Sequence, residues 1–388
     1  MTSLRGLKIL FVFATLDIGG SERQALLLAR HLKEKHGADV RVWGLQARAG
    51  ALASACDDAG IHRESIPFTW PESRRGKLLE LARFAGRLRR ERPDILLPFN
   101  LIPCIVTGLT WRYSGARLDV WSQRNAGNET AARGLHRLAV RLSPWFISNS
   151  EHGKRLLVET YGVDQHRIRV IPNGISLPPE AEGRDAWRRR MGVGDDCFVA
   201  VMVANIHYPK DHPTLLKAWR MFLDRTLEAG GAQAMLLLVG RPDADMERLK
   251  SLAFDLSLGG HLKVLGWIED MSGLLHAADI LVHSSKSEGM PNAVIEGMEA
   301  GLPVVATDIP GVREAVGPDG VRFLAPPEDP AALSGQIFRF WQNGTLRRSV
   351  GAAMKSRAEQ VFDPGNTCER TAAFLAEALE KRLGNGSG

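Results

Sequence analysis

Cysteine is scarce in this chain. Only Cys56, Cys104, Cys197 and Cys368 occur in 388 residues. No two stand at redox or metal-ligand spacing, which argues against a disulfide scaffold and for reduced thiols in a cytoplasmic protein. Long apolar runs are missing too. None approaches the ~20 residues that cross a bilayer. The apolar opening, Lys8-Ile-Leu-Phe-Val-Phe-Ala14, lacks a small-residue cleavage site and runs straight into Asp17-Ile-Gly-Gly-Ser-Glu22. It reads as a strand feeding a loop and helix, not as a signal peptide. A dinucleotide fingerprint is absent, because Gly19-Gly20 is followed by Ser21-Glu22-Arg23-Gln24 without a third glycine. That speaks against a nicotinamide dehydrogenase. No nucleic-acid-binding motif is recognisable, and nucleic acid is not expected as a partner.

What is present is an ordinary globular composition, 44% hydrophobic with a mean hydropathy of −0.13. The length suggests two domains. Charge is split between the halves. Residues 1–178 carry 27 Lys and Arg against 16 Asp and Glu, or +11; the remaining 23 against 28 give −5, and together they make the net +6. Two domains with different partners fit this split, the basic one suited to an anionic surface or substrate.

Apolar strands alternate with amphipathic helices throughout. In the first half strands are expected at 8–14, 39–45, 94–99, 118–122, 145–149 and 168–171. Helices are expected at 21–36, 50–59, 75–90, 102–113, 131–142 and 150–160. The second half restarts with strands at 198–204, 235–239, 262–265, 279–283, 303–306 and 321–324. Strand–helix alternation implies parallel sheets covered on both faces, with ligands beyond the C-terminal strand ends. Leu177-Pro-Pro-Glu-Ala-Glu-Gly183 has linker composition.

The most informative stretch runs from Ser287 to Gly301. Glu288 and Gly289 lie in a loop, Pro291 suits a first helical position, and Gly301 suits a helix stop. Gly289 permits close backbone approach to a ligand. The backbone of Met290, Pro291, Asn292 and Ala293, with the free N–H groups of the first turn, outlines a phosphate site. Glu296 stands among Ala293, Val294, Ile295 and Met298, where a carboxylate is costly unless it finds partners such as sugar hydroxyls.

Two glutamates with seven residues between them, followed by Glu299-Ala-Gly-Leu-Pro-Val-Val305, resemble the signature of retaining glycosyltransferases of family 4. The resemblance extends from Gly19-Gly20 through Pro172-Asn-Gly174 and Lys210 to Glu296. It implies an α/β chain of GT-B architecture, two Rossmann-like domains with parallel sheets facing a central cleft. The expected division is an acceptor domain at 1–176, a linker at 177–183 and a nucleotide-sugar domain at 184–362. A C-terminal helix and tail at 363–388 would cross back to the first domain.

The resemblance also implies roles. A sugar passes, with retention, from a UDP- or GDP-linked donor to a hydroxyl of a glycan or lipid-linked acceptor, without cofactor or metal. Lys210 and Glu288 are the expected catalytic pair. Donor contacts are expected from Gly19, Gly20, Asn205, Lys210, Arg241, Trp267, Glu288, Gly289, Met290, Pro291, Asn292, Ala293 and Glu296. Acceptor contacts are expected from Asn100, Arg124 and Asn125. Two positions depart from the family pattern: Asn100 replaces a common histidine, and Asn205 replaces an arginine. Asp243-Ala-Asp245 resembles the acidic metal triplet of a different glycosyltransferase fold, but helix capping accounts for it. The basic stretch 74–92, with leucines interleaved, suits either a solvated outer face or peripheral contact with an anionic membrane. A nucleotide-sugar 2-epimerase and a non-catalytic nucleotide-sugar binder remain alternatives.

Overall fold

The structure is a computed structural model that describes residues 3–48, 50–124, 134–231, 233–242 and 245–384. It divides into two compact units, residues 1–174 with 364–388, and residues 175–363.

The first unit holds seven strands: β1 (Lys8–Phe13), β2 (Asp39–Gly44), β3 (His62–Ser65), β4 (Ile95–Pro98), β5 (Leu118–Gln123), β6 (Trp145–Ser148) and β7 (Ile168–Val170). They pair in parallel in the order β3-β2-β1-β4-β5-β6-β7. The run Ile9-Leu-Phe-Val-Phe13 is buried on both faces, as a central parallel strand covered by helices must be. β3 had no counterpart among the expected strands. Its sequence, His-Arg-Glu-Ser, is polar, and it is an edge strand with no fully buried residue. Hydrophobic patterning therefore has nothing to detect there.

The second unit holds β8 (Phe198–Val203), β9 (Ala234–Val239), β10 (Leu262–Gly266), β11 (Ile280–His283), β12 (Val304–Thr307) and β13 (Leu324–Ala325). Their order is β10-β9-β8-β11-β12-β13, again parallel. The expected strand at 321–324 is mostly a tight turn, Val321–Phe323, before the two-residue edge strand β13. In each sheet the order reverses direction beside the first strand, between β1 and β4 and between β8 and β11. Those are the switch points at which ligands bind in open parallel sheets.

A helix at Pro364–Gly384 closes the first unit. Cys368, Leu375 and Leu379 share a core with Ile9, Phe11, Leu28 and Leu32. Gly174 meets the start of this helix so closely that a Cβ would lie 2.6 Å from Pro364 Cα. All four cysteines are free and buried.

One buried acid gives the first unit a pH signature. Asp119, on β5, is fully buried, accepts a hydrogen bond from Ser143 Oγ (3.0 Å), and has Oδ1 without a partner among the described residues. Burial pushes its carboxyl up to about 7, against the opposing hydrogen bonds. A folded pKa raised this way means that stability is lost as pH rises from the ordinary carboxylate range through about 7. Asp119→Asn is expected to match the parent at pH 4 and to exceed it by about 1–3 kcal/mol at pH 8. Urea titrations at the two pH values check this.

Candidate functional site

The site in the second unit is built at the switch point between β8 and β11. The loop after β8 is tied to the loop after β11 by backbone bonds: Asp211 N to Ser284 O (3.0 Å) and Lys286 N to Pro209 O (3.0 Å). Ser284 Oγ also donates to Asp211 O (2.7 Å). Thr307 on β12 brackets Ser285, accepting from its amide (3.1 Å) and donating to its carbonyl (2.8 Å). Asp211 then caps the helix His212–Glu228, accepting from Thr214 N (3.3 Å). Lys210 is thereby held at a strand end rather than on a loose loop.

Held there, the Lys210 ammonium donates to Glu288 Oε1. The same oxygen lies 3.1 Å from His283 Nε2 at the end of β11. Burial alone would raise the Glu288 carboxyl, but the charge of Lys210 and the bond from His283 take it down to about 2. Its contribution to stability is complete above the ordinary carboxylate range and is lost only as pH falls through about 2. The group is therefore ionised throughout the neutral range. Burial, and then Lys210, lower the pKa of His283, so its ring is neutral at pH 7 and donates from Nε2. Burial takes His212 down to about 4. His283 Nδ1, His212 Nε2 and Asp211 Oδ2 are buried without hydrogen-bond partners among the described residues. In so buried a surround, charges such as the Lys210 ammonium act more strongly than they would in water.

The loop carrying Glu288 leads into the helix Asn292–Glu299. Pro291 is the extended residue just before that helix, one place earlier than the sequence suggests, and its carbonyl accepts from Val294 N (3.1 Å). Met290 is 6% exposed and belongs to the core, so only its backbone is available to a ligand. Glu296 is buried within the helix. The helix Pro310–Gly320 braces the loop. A Cβ on Gly311 would lie 2.3 Å from Gly289 O and 2.7 Å from Glu288 O, so only glycine allows this approach.

Three further expected donor residues surround the ends of β8, β9 and β10. Asn205 Oδ1 accepts from Arg241 N (3.0 Å). Gly240, at φ 151°, packs so tightly that a Cβ would lie 2.1 Å from Ala204 O. Asn205 therefore joins two strand ends, a role its amide performs and a guanidinium would not. Arg241 is exposed. Trp267 is 61% exposed and lies outside the hydrophobic core. Asp243 lies outside the described residues. Asp245 occupies the N-cap of Met246–Asp255, but its side chain makes no cap hydrogen bond, contrary to the capping expectation.

In the first unit Gly19 and Gly20 begin the helix Gly20–His36 after β1. Asn100 follows β4 with a positive φ of 69°, an unusual conformation for a residue other than glycine. Its Nδ2 donates to Glu22 Oε1 (2.8 Å), so the two loops of this switch point are coupled. Arg124, after β5, donates to Asn173 Oδ1 (3.0 Å) and lies over the Phe99 ring at 5.0 Å. Burial pushes its guanidinium down to about 10. Its Nε is buried without a hydrogen-bond partner among the described residues. Asn125 lies outside the described residues.

Sequence reasoning missed His283, Glu22, Asn173 and Gly311. His283 was read only as the end of an apolar strand. Gly311 carries no signal, because its partners are backbone atoms about twenty residues away.

Residues 183–357 match the family described as Glycosyl transferases group 1, and residues 18–177 match Glycosyltransferase Family 4. A D-inositol 3-phosphate glycosyltransferase of Streptomyces scabiei is 29% identical over 248 residues, 62% of this chain and 55% of that protein. The chain thus spans about half the length of such curated relatives. An Escherichia coli UDP-Gal:alpha-D-GlcNAc-diphosphoundecaprenol alpha-1,3-galactosyltransferase is 25% identical over 235 residues, 58% of this chain and 60% of that one. Among solved structures, Anabaena HepE in complex with UDP and glucose has a TM-score of 0.82 at 21% identity, covering 96% of this chain and 100% of that one. That likeness concerns the fold.

Proposed function

Since the chain belongs to the group 1 glycosyltransferases of GT-B fold, we propose that it moves a sugar from a nucleoside-diphosphate sugar to an acceptor hydroxyl with retention of configuration. The observation that carries this reading is the Lys210–Glu288–His283 cluster at the β8/β11 switch point, beside the start of the helix Asn292–Glu299. As the glycosidic bond breaks, negative charge accumulates on the departing diphosphate. A preorganised ammonium and a helix start are the groups that stabilise such charge, and the step needs no metal ion. Glu288 is already ionised and orients sugar hydroxyls. Glu296, deeper in the same helix, receives the ribose hydroxyls. The acceptor belongs to the first unit, near Asn100 and Arg124.

A uridine-linked donor is favoured, since the names of the Escherichia coli relative and the Anabaena structure carry UDP. A glycan or lipid-linked acceptor of envelope polysaccharide assembly fits the basic first half. The helix Arg74–Glu91 buries Phe84 and Leu88, while Leu78 and Leu79 are 67% and 72% exposed among Arg74, Arg75 and Lys77. Those exposed leucines and cations support peripheral contact with an anionic membrane; salt-reversible retention on anionic vesicles is the readout. Among the described residues no helix is long and apolar enough to cross a membrane. The free, buried cysteines fit a reducing cytoplasm.

The deciding experiment incubates the chain with radiolabelled nucleotide sugars, with and without a polyprenyl-diphosphate-sugar acceptor. A labelled acceptor supports the proposal. An epimerised sugar formed without acceptor, or donor bound and never turned over, replaces it with one of the alternatives.

A further inference from the structure

Away from the donor site, the first unit brings three metal-ligating side chains together from opposite ends of the sequence. His31 and His36 lie on the last turns of the helix Gly20–His36. A spacing of five residues does not align side chains on a regular helix, where neighbours are three or four apart. Here His36 is the final helical residue, and Gly37 follows at φ 63°. The two imidazole rings come to 5.5 Å between centroids. Glu369 reaches them from the C-terminal helix Pro364–Gly384. His31 Nε2 is 2.8 Å from its Oε1, and His36 Nε2 is 3.3 Å from its Oε2. Each carboxylate oxygen therefore faces one imidazole nitrogen. The candidate ligand atoms of the three residues all lie within 4.8 Å of one another.

Hydrogen bonding accounts for only part of this arrangement. The His31 contact is a hydrogen bond. His36 Nε2 is buried and close to the carboxylate, yet it makes no aligned hydrogen bond with any described residue. A ring nitrogen directed into a shared space beside a carboxylate and a second imidazole is what a cation needs. We propose that His31, His36 and Glu369 form a divalent transition-metal site, best suited to Zn2+, with water completing the coordination.

The chemistry of the donor set makes the choice. Two imidazoles and one carboxylate are ligands of zinc, whereas calcium and magnesium prefer oxygen-only shells. Zinc bonds of about 2.0–2.2 Å to nitrogen and oxygen place tetrahedral ligand atoms about 3.3 Å apart. The 3.3 Å contact already matches that spacing, and the 2.8 Å contact is shorter than it. Small side-chain adjustments suffice, and Glu369, at 56% side-chain exposure, is free to make them. The site lies within the first unit, whereas Lys210 and Glu288 belong to the second. Its role is to pin the C-terminal helix to the first helix. It adds to the Thr367 Oγ1–Pro172 O bond (3.3 Å), the Arg169–Glu377 pair (2.7 Å) and the apolar contacts of Leu375 and Leu379.

The test uses the full chain stripped with EDTA. Calorimetric titration with Zn2+ is expected to show one equivalent bound, with a rise in melting temperature that grows with free metal. Co2+ in its place should give visible d–d absorption. Glu369→Gln, at an exposed position, and His31→Asn with His36→Asn should each lower Zn2+ affinity more than about tenfold. Binding of UDP should be unchanged in both. Failure of the parent chain to bind Zn2+, or undiminished affinity in folded Glu369→Gln, would overturn the site.

Discussion

Lys210→Ala is expected to lower the turnover of sugar transfer by about 100- to 1000-fold, the usual loss when one preorganised charge-stabilising group is removed. Donor affinity should fall much less. The asymmetry follows from when the charge is needed. The bound donor carries its diphosphate charge already dispersed and partly solvated, whereas the leaving diphosphate gains charge as the glycosidic bond breaks. An ammonium pinned between the β8 and β11 loops by the Asp211–Ser284 and Lys286–Pro209 bonds pays no reorganisation at that moment. Removing it has a second consequence. Glu288 loses the charge that offsets its burial and keeps only His283. Its pKa should rise, so the residual activity of the variant should decline at mildly acidic pH where the parent does not. Steady-state kinetics across pH 5–8, with calorimetry of UDP binding, would read both effects. A variant whose loss lay wholly in KM, with kcat intact, would show that Lys210 only binds.

The two sheets were legible because buried parallel strands are nearly continuous apolar runs. Ile9–Phe13, Phe198–Val203 and Ala234–Val239 admit few other readings. The alternation between such runs also located the loops that carry Gly19, Lys210 and Glu288. β3 escaped because an edge strand need not be apolar, and the strand expected at 321–324 keeps only Leu324, with Ala325, in β13. The proposed donor site was legible as far as its chemistry is local: a loop glutamate, a helix start and a second glutamate within it. What escaped is whatever depends on tertiary approach. His283 acquires its role only when the Glu288 loop folds back over the end of β11. Asn205 reads as a deficient arginine until Gly240 is seen passing within contact of Ala204. The His31–His36–Glu369 cluster joins positions more than 300 residues apart, and no spacing rule could have proposed it.

Glu288→Gln and Glu296→Gln are expected to fail in different ways. Glu288 forms a direct pair with Lys210, so in the proposed site it would compete with the diphosphate for that ammonium. Both partners are less than one-fifth exposed, which makes the pair stronger than a surface ion pair. Neutralising Glu288 releases Lys210. Affinity for UDP should therefore stay constant or rise, by up to about fivefold for a pair worth about 1 kcal/mol. Transfer should nevertheless fall by about 10- to 100-fold, because an amide accepts weaker hydrogen bonds from sugar hydroxyls than a carboxylate does. Glu296 is buried beyond the first turn of its helix, away from the loop that holds Glu288. Replacing its carboxylate by an amide should weaken uridine, UDP and UDP-sugar alike, by about 1–3 kcal/mol each, since all three present the same ribose hydroxyls. Calorimetry with those three ligands, set beside kcat and KM, separates the roles. The opposite signs expected for UDP affinity are the sharpest discriminator. If Glu288→Gln weakened UDP as much as Glu296→Gln did, Glu288 would be a nucleotide ligand, and the sugar would have to be held by another residue.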